Sequence, residues 1–401
     1  MEFRPILSAM LRNKIGAILV GLQIALTLAV AANAVSIIMQ RVEKMGRPTG
    51  MDTHNIFFVQ SYGFGAKYDH KDTLRRDLDM IRAIPGVIAA SSLSAVPLSG
   101  SGSSATFGAV AEPSKVTIEG NYYRSDEQAL KVLGVKLVQG RFFNQEEVEY
   151  VKMQSSRFAP VVVITRDMGK ALFGDEPPLG RLVHDGLGQS ATVIGVIDHM
   201  LGSWVDWDKL TQIVFVPEIP PGPIAKYAVR TEPGKRDQIM AEVEDKLTSV
   251  DIQRAITLVR SHDEYIERSY RADSRMVAFL SVIVGLILTV TALGVVGLAS
   301  FHVGVRTKQI GTRRAVGARK IDIIRYFMVE NWLLTTAGVA IGAVLAFAFG
   351  QWLSAMYSLP RLDPIYVAGG IVLLWILGQL AVFIPARRAA AIPPAIATRT
   401  V

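Results

Sequence analysis

Six histidines, thirty-five carboxylates and no cysteine are the stock from which this chain could build a catalytic or metal site. The histidines (His54, His70, His184, His199, His262 and His302) are scattered. None shows the i, i+4 spacing that sets two imidazoles on one helix face around zinc. Asp198 and His199 look like an acid–base pair, but adjacent residues on a strand point to opposite faces. The lack of cysteine excludes disulfides, thiolate metal sites and cysteine nucleophiles. A phosphate-cradling loop needs Gly-x-x-x-x-Gly-Lys-Ser/Thr, with backbone amides around the phosphate and the lysine reaching it. No such string occurs, and Ser99–Ser104 (Ser-Gly-Ser-Gly-Ser-Ser) has neither the lysine nor a following helix signal, so it reads as a flexible loop. The expectation is a non-catalytic chain with no metal and no cofactor of its own.

The elements that must hold any site are dominated by four long uncharged stretches. One is Ile15–Gln40; the other three, Met276–Val305, Asn331–Pro360 and Pro364–Ala386, crowd into the last third. A bilayer core needs roughly 20 apolar residues in helical form, and each stretch meets that length. None contains Asp, Glu, Lys or Arg. Ion-coupled carriers usually place such groups at membrane depth, so the pattern argues against secondary transport. The predicted fold is four transmembrane α-helices, at 15–40, 276–303, 329–356 and 365–386, with an extracytoplasmic α+β domain built of two subdomains at 41–275. Arg4, Arg12 and Lys14, an apolar run and Ala-x-Ala sites at Ala29–Ala31 and Ala32–Ala34 also describe a signal peptide. The run continues through Val35, Ile37 and Ile38, past either cleavage point, which favours a span.

The net charge of +8 is unevenly placed. Segments 1–14, 304–330 and 387–401 hold 13 of the 43 Lys and Arg but only Glu2, Asp322 and Glu330 of the 35 acids. That is +10 next to the spans and −2 elsewhere, the pattern that keeps basic loops in the cytoplasm. Both termini and the 304–328 loop are therefore expected inside, with 41–275 outside. A nucleic-acid partner would need the positive charge on the folded domain, where it is absent.

Two strand–helix–strand units bracket the domain. Asn55–Gln60, Asp72–Ile84 and Val87–Val96 form the first, with Leu74, Leu78 and Ile81 on one helix face, Asp72 as N-cap and Pro85-Gly86 as the stop. Tyr227–Thr231, Lys235–Val250 and Ala255–Arg260 form the second, with Ile239, Val243 and Leu247 on one face. They place an outer α+β part at 41–98 and 226–260. The middle, 99–225, reads as an inserted β-rich part, with short strands at Val161–Thr165 and Thr192–Ile197. Segments 41–45 and 261–275 are read as stalk helices continuing the spans outward, rigid enough to carry displacement. The third span carries Gly338 and Gly342, a small-xxx-small face suited to close packing in lipid, though the spacing also arises by chance in apolar runs.

The most informative loop follows the second span. Lys308–Val316 reads as a short amphipathic helix with Gly317 as its C-terminal stop, and a new helix runs through Ile321, Ile324 and Phe327 into the third span. A basic loop that only fixes topology, or one holding anionic lipid headgroups, would carry the same charge. A helix–Gly–helix of fixed geometry is more than topology requires, and suits docking into a groove on a partner protein.

Within this loop, Arg306-Thr307-Lys308-Gln309-Ile310-Gly311-Thr312-Arg313-Arg314-Ala315-Val316-Gly317-Ala318 resembles the signature of MacB/FtsX-type ABC transporter permeases. Pro385-Ala386-Arg387-Arg388-Ala389-Ala390 is similar to that family's closing motif, and Pro394–Arg399 matches its usual tail only loosely. The 41–275 domain resembles the MacB-type periplasmic core at Leu133-Gly134-Val135, Gly140-Arg141-Phe142-Phe143, Val161–Thr165, Ala171-Leu172-Phe173-Gly174, Pro178-Leu179-Gly180 and Val193-Ile194-Gly195-Val196. The resemblance implies a stand-alone permease subunit in the bacterial inner membrane, part of an ATP-driven exporter. Its implied partners are a cytoplasmic ABC ATPase dimer carrying ATP and Mg, a second permease subunit, membrane lipids and a periplasmic adaptor. The ATPase-coupling residues would be Arg306, Lys308, Ile310, Gly311, Arg313, Arg314, Ala315, Gly317 and Ala318. Only 14 residues precede the first span, so the ATPase is expected on another chain. The rival reading is an FtsX-like mechanotransmitter that regulates an extracytoplasmic hydrolase or sensor and moves no solute. A membrane-anchored sensor without an ATPase would leave the loop unexplained.

Overall fold

A computed structural model describes residues 14–65, 68–151, 157–220, 222–251, 253–357 and 360–393. The segment before Lys14 and the Pro394–Arg399 tail lie outside the described residues. Two compact units are present: Arg47–Arg271, and the flanking residues up to Gly46 and from Ala272 onward.

The chain begins with helix α1 (Lys14–Met45) and then enters the intervening domain. Its first half runs β1 (Ile56–Gly63), α2 (His70–Arg82), β2 (Val87–Ser92), β3 (Ser104–Gly108), β4 (Ile118–Arg124), α3 (Ala129–Leu133), β5 (Leu137–Gly140) and β6 (Glu149–Tyr150). The second half runs β7 (Val161–Thr165), α4 (Arg166–Phe173), β8 (Leu182–Asp185), β9 (Ser190–Ile197), β10 (Ile213–Val216), β11 (Glu218–Ile219), β12 (Ile224–Thr231), α5 (Arg236–Val250), β13 (Arg254–Ser261) and α6 (His262–Ser269).

One antiparallel sheet has the order β13-β1-β12-β2. The run Ile56-Phe57-Phe58-Val59 shows no polar alternation because both of its faces are covered. Phe57 and Val59 pack on Leu74, Leu78 and Ile81 of α2 and on Ile239, Val243 and Leu247 of α5, the helix faces predicted from spacing. Ile56 and Phe58 enter a second core with Val132 and Leu133 of α3. The cap of α2 differs from expectation. Asp69, not Asp72, is the N-cap, and its carboxylate accepts the Asp72 amide proton at 3.0 Å, so the helix starts a turn earlier.

The other main sheet has the order β5-β9-β7-β10-β4-β3-β8, and β8 also pairs with β9. That last pairing closes a six-stranded ring, with β5 as an extra strand on the far half of β9. The bracketing segments supply the four-stranded sheet and the middle supplies the ring; each has a core of its own, and a third core lies between them. Tyr123 and Phe215 of the ring share one core with Phe58 and Ala228 of the four-stranded sheet, and Arg47–Arg271 is one compact unit.

The remaining helices are α7 (Arg271–Val305), α8 (Thr307–Ala315), α9 (Lys320–Tyr357) and α10 (Pro364–Ala390). Among the described residues, α1, α7, α9 and α10 are long and apolar enough to cross a membrane. The expected stalk at 261–275 is divided at Tyr270. Its first part, α6, belongs to the domain: His262 and Tyr265 are buried, both rings meeting Phe58 edge-on. Burial in apolar surroundings, where a charge is poorly solvated, pulls the His262 pKa down to about 4. Residues 41–45 do continue α1, which runs unbroken to Met45.

Candidate functional site

Helix α8 is a nine-residue piece set between two long helices, and its ends are built from local chemistry. At its C-terminus the Ala318 amide donates to the Arg313 carbonyl at 3.0 Å and the Gly317 amide to the Arg314 carbonyl at 3.3 Å. This double closure needs a left-handed residue, and Gly317 supplies it with φ 103°. The next turn is set by Asp322, whose carboxylate accepts the Arg319 amide proton at 3.0 Å before α9 begins. These local bonds shape the corner between α8 and α9.

The inner face of α8 is apolar. Ile310 and Gly311 are buried, and Ile310 packs with Ile323, Phe327, Ala386 and Ala389. Burying one such side chain stabilises the seat by about 1.5–3 kcal/mol. The outer face carries Lys308, Arg313 and Ala315, all exposed, with Arg314 and Ala318 half-buried and Gly317 exposed. Val316 and Ile321 are exposed apolar residues on either side of the turn, 83% and 61% accessible. Arg319, Lys320 and Arg325 add exposed positive charge.

Arg306 does not point outward with these residues. Its Nη1 donates to Glu330 Oε2 at 2.8 Å and to the Tyr326 hydroxyl at 3.1 Å. Arg313, although exposed, lies over the ring of that same tyrosine, 5.2 Å from its centre. His302 of α7 completes the group, with Nδ1 3.6 Å from Glu330 Oε1. Sequence reading treated Arg306 as a partner-facing residue and left Glu330 just outside the uncharged stretch Asn331–Pro360. The structure instead joins Glu330 to the span residues in the unbroken helix α9 and buries it. At about 1.5 Å per residue the 38 residues of α9 extend well beyond a 30 Å bilayer core, so its first turns have room for charge. The available signal was the placement of Glu330, an acid immediately before the uncharged stretch Asn331–Pro360.

The glycines of the third span face α1. A Cβ at Gly338 would lie 2.9 Å from Ile24 Cβ, and one at Gly342 would lie 2.8 Å from the Ala25 carbonyl oxygen. Polar side chains inside α1, not singled out from the sequence, bond its neighbours. Thr27 and Thr291 hydroxyls meet at 2.7 Å, Gln23 donates to the Val290 carbonyl at 3.0 Å, and Asn33 donates to the Ala346 carbonyl at 3.0 Å. Near Met45, Asp273 of α7 receives Arg41 at 2.5 Å and Lys44 at 2.7 Å.

The residues examined for chemistry are dispersed. Asp198 pairs with Arg166 at 2.9 Å while His199 Nε2 meets the Pro48 carbonyl at 2.9 Å, so the two do not act together. Ser99 Oγ donates to the Val96 carbonyl at 2.7 Å, and the Gly100 amide to the Ser203 carbonyl at 2.8 Å. Among the described residues no group of three or more His, Asp or Glu could hold a metal ion.

Comparison with known proteins bears on both units. A family described as MacB-like periplasmic core domain matches residues 22–259, and one described as FtsX-like permease C-terminal matches residues 281–394. The macrolide export ATP-binding/permease protein MacB of Chromobacterium violaceum is 27% identical over 281 residues, 66% of this chain and 41% of that protein. The protein of the same name from Burkholderia pseudomallei is 30% identical over 288 residues, 67% of this chain and 41% of that protein. The chain thus spans about 41% of the length of these relatives. Among solved structures, the periplasmic region of MacB from Actinobacillus actinomycetemcomitans aligns with 55% of this chain and 94% of its own, at 19% identity and a TM-score of 0.34. Four apolar helices, a MacB-like core domain between the first two, and an FtsX-like module over the rest make this chain a member of the MacB/FtsX-type ABC transporter permease family.

Proposed function

We propose that the chain is the permease subunit of an ATP-driven export complex. A separate cytoplasmic ABC ATPase dimer, holding ATP and Mg, grips α8 and the turn after it. Motion of the bundle then reaches the periplasmic domain, which acts on substrate mechanically, its two sheets serving as the parts that do so. Both termini and α8 lie in the cytoplasm of a bacterium with an inner membrane. The observation that carries this reading is the corner at Gly317, which presents Val316 and Ile321 between basic residues while the inner face of α8 is seated on the bundle. A mere topology signal would need the charges and not the corner.

Two permease subunits act together. The exposed apolar row Phe279, Val282, Leu286, Val290 and Leu293 on α7 supports this, since it offers lipid or a second subunit one continuous stripe. A periplasmic adaptor would meet the domain. The FtsX-like match keeps a second reading in view, a mechanotransmitter that regulates an outside hydrolase. The size of the core domain favours export.

The test is co-purification of an ABC ATPase with the chain, compared with the triple variant Lys308→Glu, Arg319→Glu, Lys320→Glu. Loss of the ATPase with normal membrane insertion is expected. Retention would leave these residues to lipid headgroups, and labelling of a cysteine at Ala315 from outside the cell would overturn the topology. Stimulation of ATP hydrolysis by substrate separates export from regulation.

A further inference from the structure

Arg306 lies between α7 and α8 and is the N-cap of α8, so the direction of α8 is decided at this residue. Yet the groups that hold its guanidinium come from α9. Glu330 and the Tyr326 hydroxyl take the same Nη1, at 2.8 and 3.1 Å. Nine-tenths of the Glu330 side chain is buried, and Arg306 is 15% exposed. At the other end of α8, Arg313 covers the face of Tyr326. One tyrosine and one glutamate on α9 therefore hold both ends of α8, and His302 brings the last turn of α7 to the same carboxylate.

We propose that Glu330 and Tyr326 are positioning residues that lock this corner, so that the end of α7, α8 and the start of α9 move as one body. This rests on the reading of α8 as the ATPase-coupling helix. A partner pulling on the outer face of α8 displaces two membrane helices together only if the corner cannot pivot. A backbone joint of a single residue does not prevent pivoting. A buried ion pair does, because swinging α8 away would strand a carboxylate and a guanidinium out of water. The lock also explains why Arg306 faces inward although the residues after it face a partner.

The chain has no cysteine, so spin labels at Lys308→Cys and Arg325→Cys report the angle between α8 and α9 directly, in the full chain in lipid nanodiscs. The expected result is one narrow distance in the parent and a broad distribution in Glu330→Gln and Arg306→Gln. The swap Arg306→Glu with Glu330→Arg restores the narrow distance. Tyr326→Phe, which removes only a hydroxyl, gives partial broadening and serves where Glu330→Gln fails to insert. An unchanged narrow distance in Glu330→Gln or in Tyr326→Phe overturns the lock. In parallel, Glu330→Gln is expected to keep its ATPase on co-purification but to lose substrate stimulation of ATP hydrolysis, with recovery in the swap. Unchanged stimulation despite a broad distance overturns the role in coupling. If the parent itself retains no ATPase, the coupling reading fails, and the distances alone judge the lock.

Discussion

Helices α7 and α9 are held in the bundle by different forces. Along its apolar window α9 is 39% buried, and it meets α1 at Gly338 and Gly342 with no room for a methyl group. The same measure for α7 is 11%. That helix keeps a short apolar seam, with Val295 and Ala299 buried, and is otherwise attached at points: Asp273 between Arg41 and Lys44 at the end joined to the domain, Val290 and Thr291 against Gln23 and Thr27 midway, and His302 beside Glu330 at the far end. Close packing resists sliding along the whole contact, because every displaced side chain clashes. A few polar points resist only until they break, and they can break and re-form together. The helix leading out of the periplasmic domain is thus attached by the kind of contact that permits a discrete shift, while α1 and α9 form a stiff pair.

The largest effect expected is at the domain end of α7. Asp273→Ala removes the carboxylate that Arg41 and Lys44 share, and removing one partner of a buried pair destabilises by about 3–5 kcal/mol. Unfolding of the purified chain in mixed detergent micelles measures it. A loss below that of Gly342→Ala would break the contrast between α7 and α9.

A carboxylate without a full counter-charge sharpens it. In the domain, Asp126 is satisfied by the Ser91 hydroxyl at 2.6 Å and the Ser92 and Gln128 amides at 3.0 Å, with Arg82 at 3.3 Å. Burial raises its pKa from 3.8 to about 6. Folding therefore favours its protonated form, and the benefit is full below pH 3.8 and lost, by about 3 kcal/mol, as pH rises through 6. His262 runs the other way: lowered from 6.5 to about 4, it contributes stability above pH 6.5 that is lost as pH falls through 4. The two nearly cancel between pH 4 and 6.5. In Asp126→Asn the opposing contribution of the aspartate is gone, so on acidification over this range the variant loses about 3 kcal/mol more stability than the parent. Parallel profiles for variant and parent in chemical unfolding would refute the assignment.

Gly342→Ala tests the stiff pair. The new methyl meets the Ala25 backbone, which cannot turn aside as a side chain can, and overpacking of this kind costs about 1–3 kcal/mol. The same micelle titration reads it, and a neutral result would show that α1 and α9 have slack. The smallest effect is at the middle of α7. Thr27→Val removes one interhelical hydrogen bond, worth about 0.6 kcal/mol in a bilayer. A loss as large as that of Asp273→Ala would mean that α7 is held along its length after all.

Much of this architecture was legible because it depends on period and composition. Uncharged runs of bilayer length marked the four helices, spacing picked out Leu74, Leu78, Ile81, Ile239, Val243 and Leu247 as buried faces, and Gly317 marked the end of α8. The stop at α6 was not legible: 261–275 has helical composition throughout, and only the packing of His262 and Tyr265 on Phe58 turns its first half into part of the domain. The shared interior of the two sheets was hidden for a similar reason. Phe58 and Phe215 are far apart in sequence and each looks like an ordinary strand residue.

Around α8 the division is sharpest. Amino-acid order alone determined that a short basic helix would stop at Gly317 and lead into a span, since these features arise from a left-handed residue and from local charge. Whether a given basic residue there faces outward or toward the bundle was decided only by the fold. Arg306 and Lys308 are alike in sequence terms, but Glu330 and Tyr326 come from another helix, one turn apart, to claim the first and leave the second in water. A side chain's direction follows from what lies across from it, and that is a property of tertiary contact, not of the residue.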